Sequence, residues 1–155
     1  MKFSNILFSA IVSMFFFSSC SKNEHDTYDL RFVHIMDNES SSVTISSKGN
    51  SIGTYNIYLS APQFLEPVTV KYKVTAGAGL TAGVDYELMS TGSEVTFLPG
   101  IYDMPVRIRW KANPVDPAAD NSIKIELLSV SNSSFTLGLP GKDMLQRSLI
   151  ITKIP

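Results

Sequence analysis

PVTVKYKVT, Pro67 to Thr75, alternates apolar and polar side chains along almost its whole length. Successive residues of a strand point to opposite faces, so Val68, Val70, Tyr72 and Val74 share one side and Thr69, Lys71 and Lys73 the other. A period of two is the mark of a strand with one face in a core and one in water. The same alternation recurs through the chain. SIGTYNIYLS turns Tyr55, Ile57 and Leu59 inward, and SEVTF turns Val95 and Phe97. MPVRIRW sets Met104, Val106, Ile108 and Trp110 against Pro105, Arg107 and Arg109, and NSIKIELLSV sets Ile123, Ile125 and Leu127 against Lys124 and Glu126. SVTIS adds Val43 and Ile45, while LRFVHIM and SLIITKI read as strands whose inward faces the pattern does not choose. About eight strands bounded by glycine, proline, asparagine or serine, with no helical period between them, predict an all-β sandwich or barrel.

Proline donates no ladder hydrogen bond, so Pro105 places the regular part of its strand at Val106 to Lys111. KANPVDPAADN, which follows, is predicted to be a long polar loop, and such loops are often mobile or functional.

The chain begins differently. Residues 2–19, KFSNILFSAIVSMFFFSS, run from one lysine through an uncharged apolar segment to two serines, the order of a secretory signal peptide. Ile6 to Phe17 is too short for a membrane span, which needs about 20 apolar residues. The only cysteine, Cys20, comes next, and FSSC resembles the lipobox of bacterial lipoproteins, with Phe17 where leucine is most frequent. That resemblance implies cleavage before Cys20, lipid on its sulfur and anchorage in a membrane. Ser21, not aspartate, follows the cysteine, which within that family implies the outer membrane. A thiolate suits thioether formation, and acyl chains contribute about 0.8 kcal/mol per buried methylene. The expected organisation is a signal peptide over 1–19, a lipidated cysteine and polar tether over 20–27, and one domain over 28–155. If Cys20 carries lipid, the domain has no thiol for disulfides, zinc or catalysis. Loss of Lys2 on cleavage takes the formal charge from -1 to -2, which offers no basic surface for nucleic acid.

The stretch VTVKYKVTAGAGLTAGVDYELMSTGSEVTFLPG, Val68 to Gly100, is similar to the Calx-beta domain. The likeness lies in a strand, a turn of threonine, alanine and glycine, Ala-Gly-x-Asp-Tyr, and then Val-Thr-Phe-x-Pro-Gly. Similar blocks occur in uncharacterised surface lipoproteins associated with polysaccharide uptake. The resemblance implies an immunoglobulin-like Greek-key β-sandwich of about 7–8 strands, with Asp85 capping a turn and Tyr86 packed into the sandwich. It also implies where calcium would bind. AADNSIKI stands where that family has paired glutamates, and ITKIP lacks a closing acidic run, leaving Asp120 with Asp116 and Asp143. Calcium takes six to eight oxygens, several from carboxylates, so these three are too few and no cofactor is expected.

Nothing else points to catalysis. His25 and His34 have no companion at metal spacing, and TAGAGLTAG lacks the lysine and helix of a phosphate loop. Two acids distant in sequence can meet in space as glycoside hydrolysis requires, but the fourteen acids are thinly scattered and a sandwich this small has little room for a deep cleft. Trp110 and Tyr72 fall on core faces, whereas Tyr58, Phe64 and Tyr102 fall on the opposite face, at strand ends or in loops, and are the candidate ligand-binding aromatics. The expected function is therefore non-catalytic: a surface accessory that binds a glycan or a partner protein. The alternative is a structural or adhesive module that assembles with other surface lipoproteins by strand addition at its edge.

Overall fold

The computed structural model describes residues 29–155, so the segment expected to be a signal peptide, Cys20, the expected tether and His25 lie outside the described residues. Among the described residues the regular structure is strand only, as the alternation predicted: β1 (Phe32–Ile35), β2 (Ser42–Ser46), β3 (Ser51–Ser60), β4 (Val68–Ala76), β5 (Tyr86–Leu88), β6 (Glu94–Phe97), β7 (Asp103–Trp110), β8 (Ser122–Val130), β9 (Thr136–Leu137) and β10 (Ser148–Ile154). The two strands beyond the expected eight, β5 and β9, are three and two residues long, too short to carry a period.

They form two five-stranded sheets, ordered β5-β7-β3-β1-β9 and β2-β10-β8-β4-β6. The odd-numbered strands make one sheet and the even-numbered strands the other, so each connection between successive strands crosses from sheet to sheet. With β1, β3 and β7 in one sheet and β4, β8 and β10 in the other, the two sheets make a β-sandwich. The first edge is shared between sheets. β1 pairs with β3, the chain reverses at Asn38 and Glu39, both at positive φ, and β2 then joins the other sheet parallel to β10.

Most of the inward residues read from the alternation are the core, while Val43, Ile45, Val74 and Met104 are partly buried and pack against it. Tyr55, Ile57, Leu59, Val68, Val70, Tyr72, Val95, Phe97, Val106, Ile108, Trp110, Ile123, Ile125 and Leu127 are all buried in one cluster drawn from both sheets. Burying a side chain of this size contributes about 1.5–3 kcal/mol, so the cluster is the main source of stability.

Two loops differ from expectation. Strand β7 starts at Asp103 and carries Pro105 within it, paired opposite Asn56. Leu59 N–H donates to Tyr102 O, so the odd-numbered residues of β7 turn their backbone away from β3. The proline nitrogen therefore faces the side on which β5 has already ended, and Ser90 Oγ rather than a strand accepts the N–H of Arg107. Proline is tolerated because it sits at a local edge.

The 111–121 segment is unpaired as expected, but it is a plug rather than a free loop. Val115 and Asn121 are buried, Asn113 N–H donates to Ser47 O, and Lys153 N–H donates to Asn121 O. Gly77 and Gly79 make this approach feasible: a Cβ on Gly77 would collide with Asp120 O, and one on Gly79 with the Asn121 side chain. The glycines of TAGAG are there for close backbone packing, not for phosphate.

Candidate functional site

The sequence-predicted residues do not converge. Phe64 is 7% exposed and meets Tyr102 edge-on, ring centroids 5.3 Å apart, within and beside the core, so it presents no platform. Tyr58 is half-buried on the other face of the same sheet, where it stacks on His34 at 5.4 Å. His34 is itself 8% exposed, with Phe32 at 5.2 Å, and burial lowers its pKa below the usual imidazole value. It is a packed strand residue.

The three aspartates do not come together either: two share one loop and the third lies elsewhere. Asp116 Oδ1 accepts the Ala118 N–H and Asp120 Oδ1 accepts the N–H and hydroxyl of Ser122, so both serve the turns of the 111–121 plug. Asp143 lies between β9 and β10, at the opposite end of the sandwich, since β8 starts at the plug and ends near the start of β10. Among the described residues no group of three or more His, Cys, Asp or Glu side chains is placed to hold a metal.

Two places gather polar chemistry that the sequence did not point to. The first is inside. Asp85, which precedes β5 in one sheet, meets Lys153, on the inward face of β10 in the other, with Nζ 3.1 Å from Oδ1. Their side chains are 6% and 0% exposed. Asp85 Oδ2 accepts the Thr81 N–H at 2.8 Å, and the Asp85 N–H donates back to Thr81 O, closing the Thr81–Asp85 turn around Gly83 at φ 84°. Asn113 Nδ2 donates to the same Oδ1 at 2.8 Å. Asp85 therefore caps a turn, and Tyr86 lies against Trp110, with centroids 6.3 Å apart. Beside them Trp110 Nε1–H donates to Tyr55 Oη at 3.1 Å. Lys153 occupies the frame of Leu149 and Ile151, but the other frame, Ile150 and Ile154, is equally apolar, so alternation alone could not find it.

The second is a cavity of about 580 Å³ at the other end of the sandwich, where the chain enters the domain. Leu30, Leu137, Leu139, Pro140 and Met144 give it an apolar lining, and the charged groups on it are Arg31, Arg147 and the carboxylate of Asp29. Arg31 Nε is 3.0 Å from Asp29, and Arg147 Nε donates to Leu127 O at 3.2 Å, which holds each guanidinium in place. The β9–β10 loop on its rim has Met144 and Gln146 at positive φ, a conformation that costs non-glycine residues of the order of 1 kcal/mol and is concentrated at binding sites.

No family model matches the chain, and no curated protein matches it either. Among the described residues no helix is long and apolar enough to cross a membrane.

Burial by itself would raise the Asp85 pKa, but hydrogen bonds from Thr81, Asn113 and Lys153, together with the lysine's charge, outweigh it and hold the carboxyl below its ordinary 3.8. A group whose pKa is lowered on folding contributes stability above its unfolded value and loses it as pH falls through the folded one. Asp85→Ala is expected to cost about 3–5 kcal/mol near neutral pH, because it leaves Lys153 buried without its partner. In urea unfolding at a series of pH values, the gap between wild type and variant should narrow only below roughly pH 4. This pH dependence belongs to the state in which Lys153 and Asp85 are still an ion pair, and a constant gap down to strong acid would contradict an intact pair in the folded chain.

Proposed function

We propose that the chain is a non-catalytic binding accessory, exported and held to the bacterial outer membrane by lipid on Cys20. Its ligand in this reading is a carboxylate-bearing glycan, taken in the cavity between Arg31 and Arg147. The cavity is the observation that carries the reading. Its volume lies in the range of small-ligand sites, about 300–1,000 Å³, and its lining is mainly apolar with a few fixed polar groups, as in such sites. Guanidinium is the side-chain group that best matches a planar carboxylate, through two parallel hydrogen bonds. The cavity is at the tether end of the domain, and eight residues, nine steps of chain, separate Cys20 from Asp29. A fully extended chain covers about 3.3–3.6 Å per residue, so the site would stand on the order of 30 Å from the bilayer at most.

Membrane fractionation checks the anchor: the full chain should sediment with membranes, and Cys20→Ser should leave it in the soluble fraction. Calorimetry of the soluble form starting at Ser21, against neutral and uronic-acid polysaccharides, checks the ligand. Heat is expected with the acidic glycans only. Arg147→Ala should weaken binding at least tenfold, the scale of one lost charge-assisted hydrogen bond worth about 1.5–3 kcal/mol. No heat with any acidic glycan would sink this reading.

A second reading, assembly with other surface subunits, is favoured by β2. Among the described residues β2 pairs only with β10, and SVTIS has no charge or proline to protect its outer edge. Ile150 N–H donates to Ser41 O, so Thr44 and Ser46 turn their backbone groups outward. If that edge is the interface, wild type should self-associate in sedimentation. Thr44→Pro, which removes only an outward-facing N–H, should then be monomeric and still folded.

A further inference from the structure

The cluster around Asp85 holds more than an ion pair requires. Its Oδ1 receives both Lys153 Nζ, at 3.1 Å, and Asn113 Nδ2, at 2.8 Å. An amine and a carboxamide are thus held on one oxygen atom, within two hydrogen-bond lengths of each other, with a carboxylate between them. All three residues are anchored. Asp85 Oδ2 is fixed by the Thr81 N–H, the Asn113 N–H by Ser47 O, and the Lys153 N–H by Asn121 O. Lys153 is fully enclosed and Asp85 nearly so.

We propose that the folded chain joins Lys153 to Asn113 through an intramolecular amide bond, with Asp85 as the proton carrier. Asp85 takes a proton from the Lys153 ammonium along the hydrogen bond between them. The freed lone pair on Nζ attacks Cγ of Asn113. Asp85 then relays a proton from Nζ to Nδ2, the Cγ–Nδ2 bond breaks, and ammonia leaves as the Nζ–Cγ amide forms. No oxidant, reductant or co-reactant is involved. An ammonium and a carboxylate are replaced by a neutral amide and a neutral acid, so the reaction removes two charges from the interior, where each is costly to hold. Fixed geometry supplies the rate: well-aligned intramolecular reactions reach effective concentrations of about 10⁵–10⁸ M, and a positioned acid–base group adds about 10²–10⁴-fold. Enclosure keeps water from competing. The product is a covalent tie between the last strand of one sheet and the plug between β7 and β8. The domain contains no cysteine to make such a tie as a disulfide. The inference does not depend on the ligand or the anchor proposed above.

Tryptic digestion of the purified full chain, followed by mass spectrometry, tests it. Cleavage after Lys111, Lys124 and Arg147 releases Ala112–Lys124 and the end of the chain. The expected product is Ala112–Lys124 joined to Ser148–Pro155, uncut at Lys153 and lighter than the two peptides by one ammonia. Lys153→Arg and Asp85→Asn, each checked for folding by circular dichroism, should yield only the linear peptides. Linear peptides alone from folded wild type would overturn the proposal. So would a link from Lys153 to the peptide containing Asp85 with loss of water, because Asp85 would then be the electrophile rather than the carrier.

Discussion

A lysine buried in a β-sandwich demands an opposite charge, and much of the architecture follows from meeting that demand. Removing an ion from water costs several kcal/mol, so Lys153 is tolerable on the inward face of β10 only where Asp85 reaches it from the other sheet. Asp85 reaches it because the Thr81–Asp85 turn is closed on itself and points the carboxylate inward. The plug is tied to the same carboxylate by Asn113 and to β10 by Asn121. One charge pair therefore sets the frame of β10, the shape of the turn before β5 and the closure of one end of the sandwich.

Such a pair is weak evidence for stability in itself, since apolar residues of similar volume often do as well or better. Its value is positional. β10 carries apolar side chains in both frames, Leu149 and Ile151 inward, Ile150 and Ile154 outward. A slip of one residue would exchange them at modest apolar cost, but it would leave Lys153 facing water and Asp85 buried alone. Polar specificity thus does what hydrophobic pattern cannot do in this strand. The two ends of the sandwich are then unlike each other: one is plugged and internally bonded, and the other keeps a cavity framed by arginines.

The strands with one-sided alternation were readable from the residues themselves. Their inward sets, Tyr55 to Leu59 in β3, Val68 to Tyr72 in β4 and Ile123 to Leu127 in β8, are the core. The site was much less readable. Phe64 has the composition of a surface aromatic in a loop and is packed inside, while Tyr58 is engaged by His34. Asp116, Asp120 and Asp143 are each bound into local turns or set at opposite ends, because neighbours in a list of acids are not neighbours in space. Pro105 shifts a predicted strand boundary only because β5 is too short to need its missing donor.

By itself the sequence determined an all-β domain, its principal inward faces and the absence of a thiol in the domain, because period two and composition are local properties of the chain. The tertiary structure alone decided that Lys153 faces Asp85 across 68 residues of sequence, that Asn113 joins them, and that Arg31 and Arg147 meet over one cavity. Those pairings come from the order of strands in two sheets. No short window of residues contains that order.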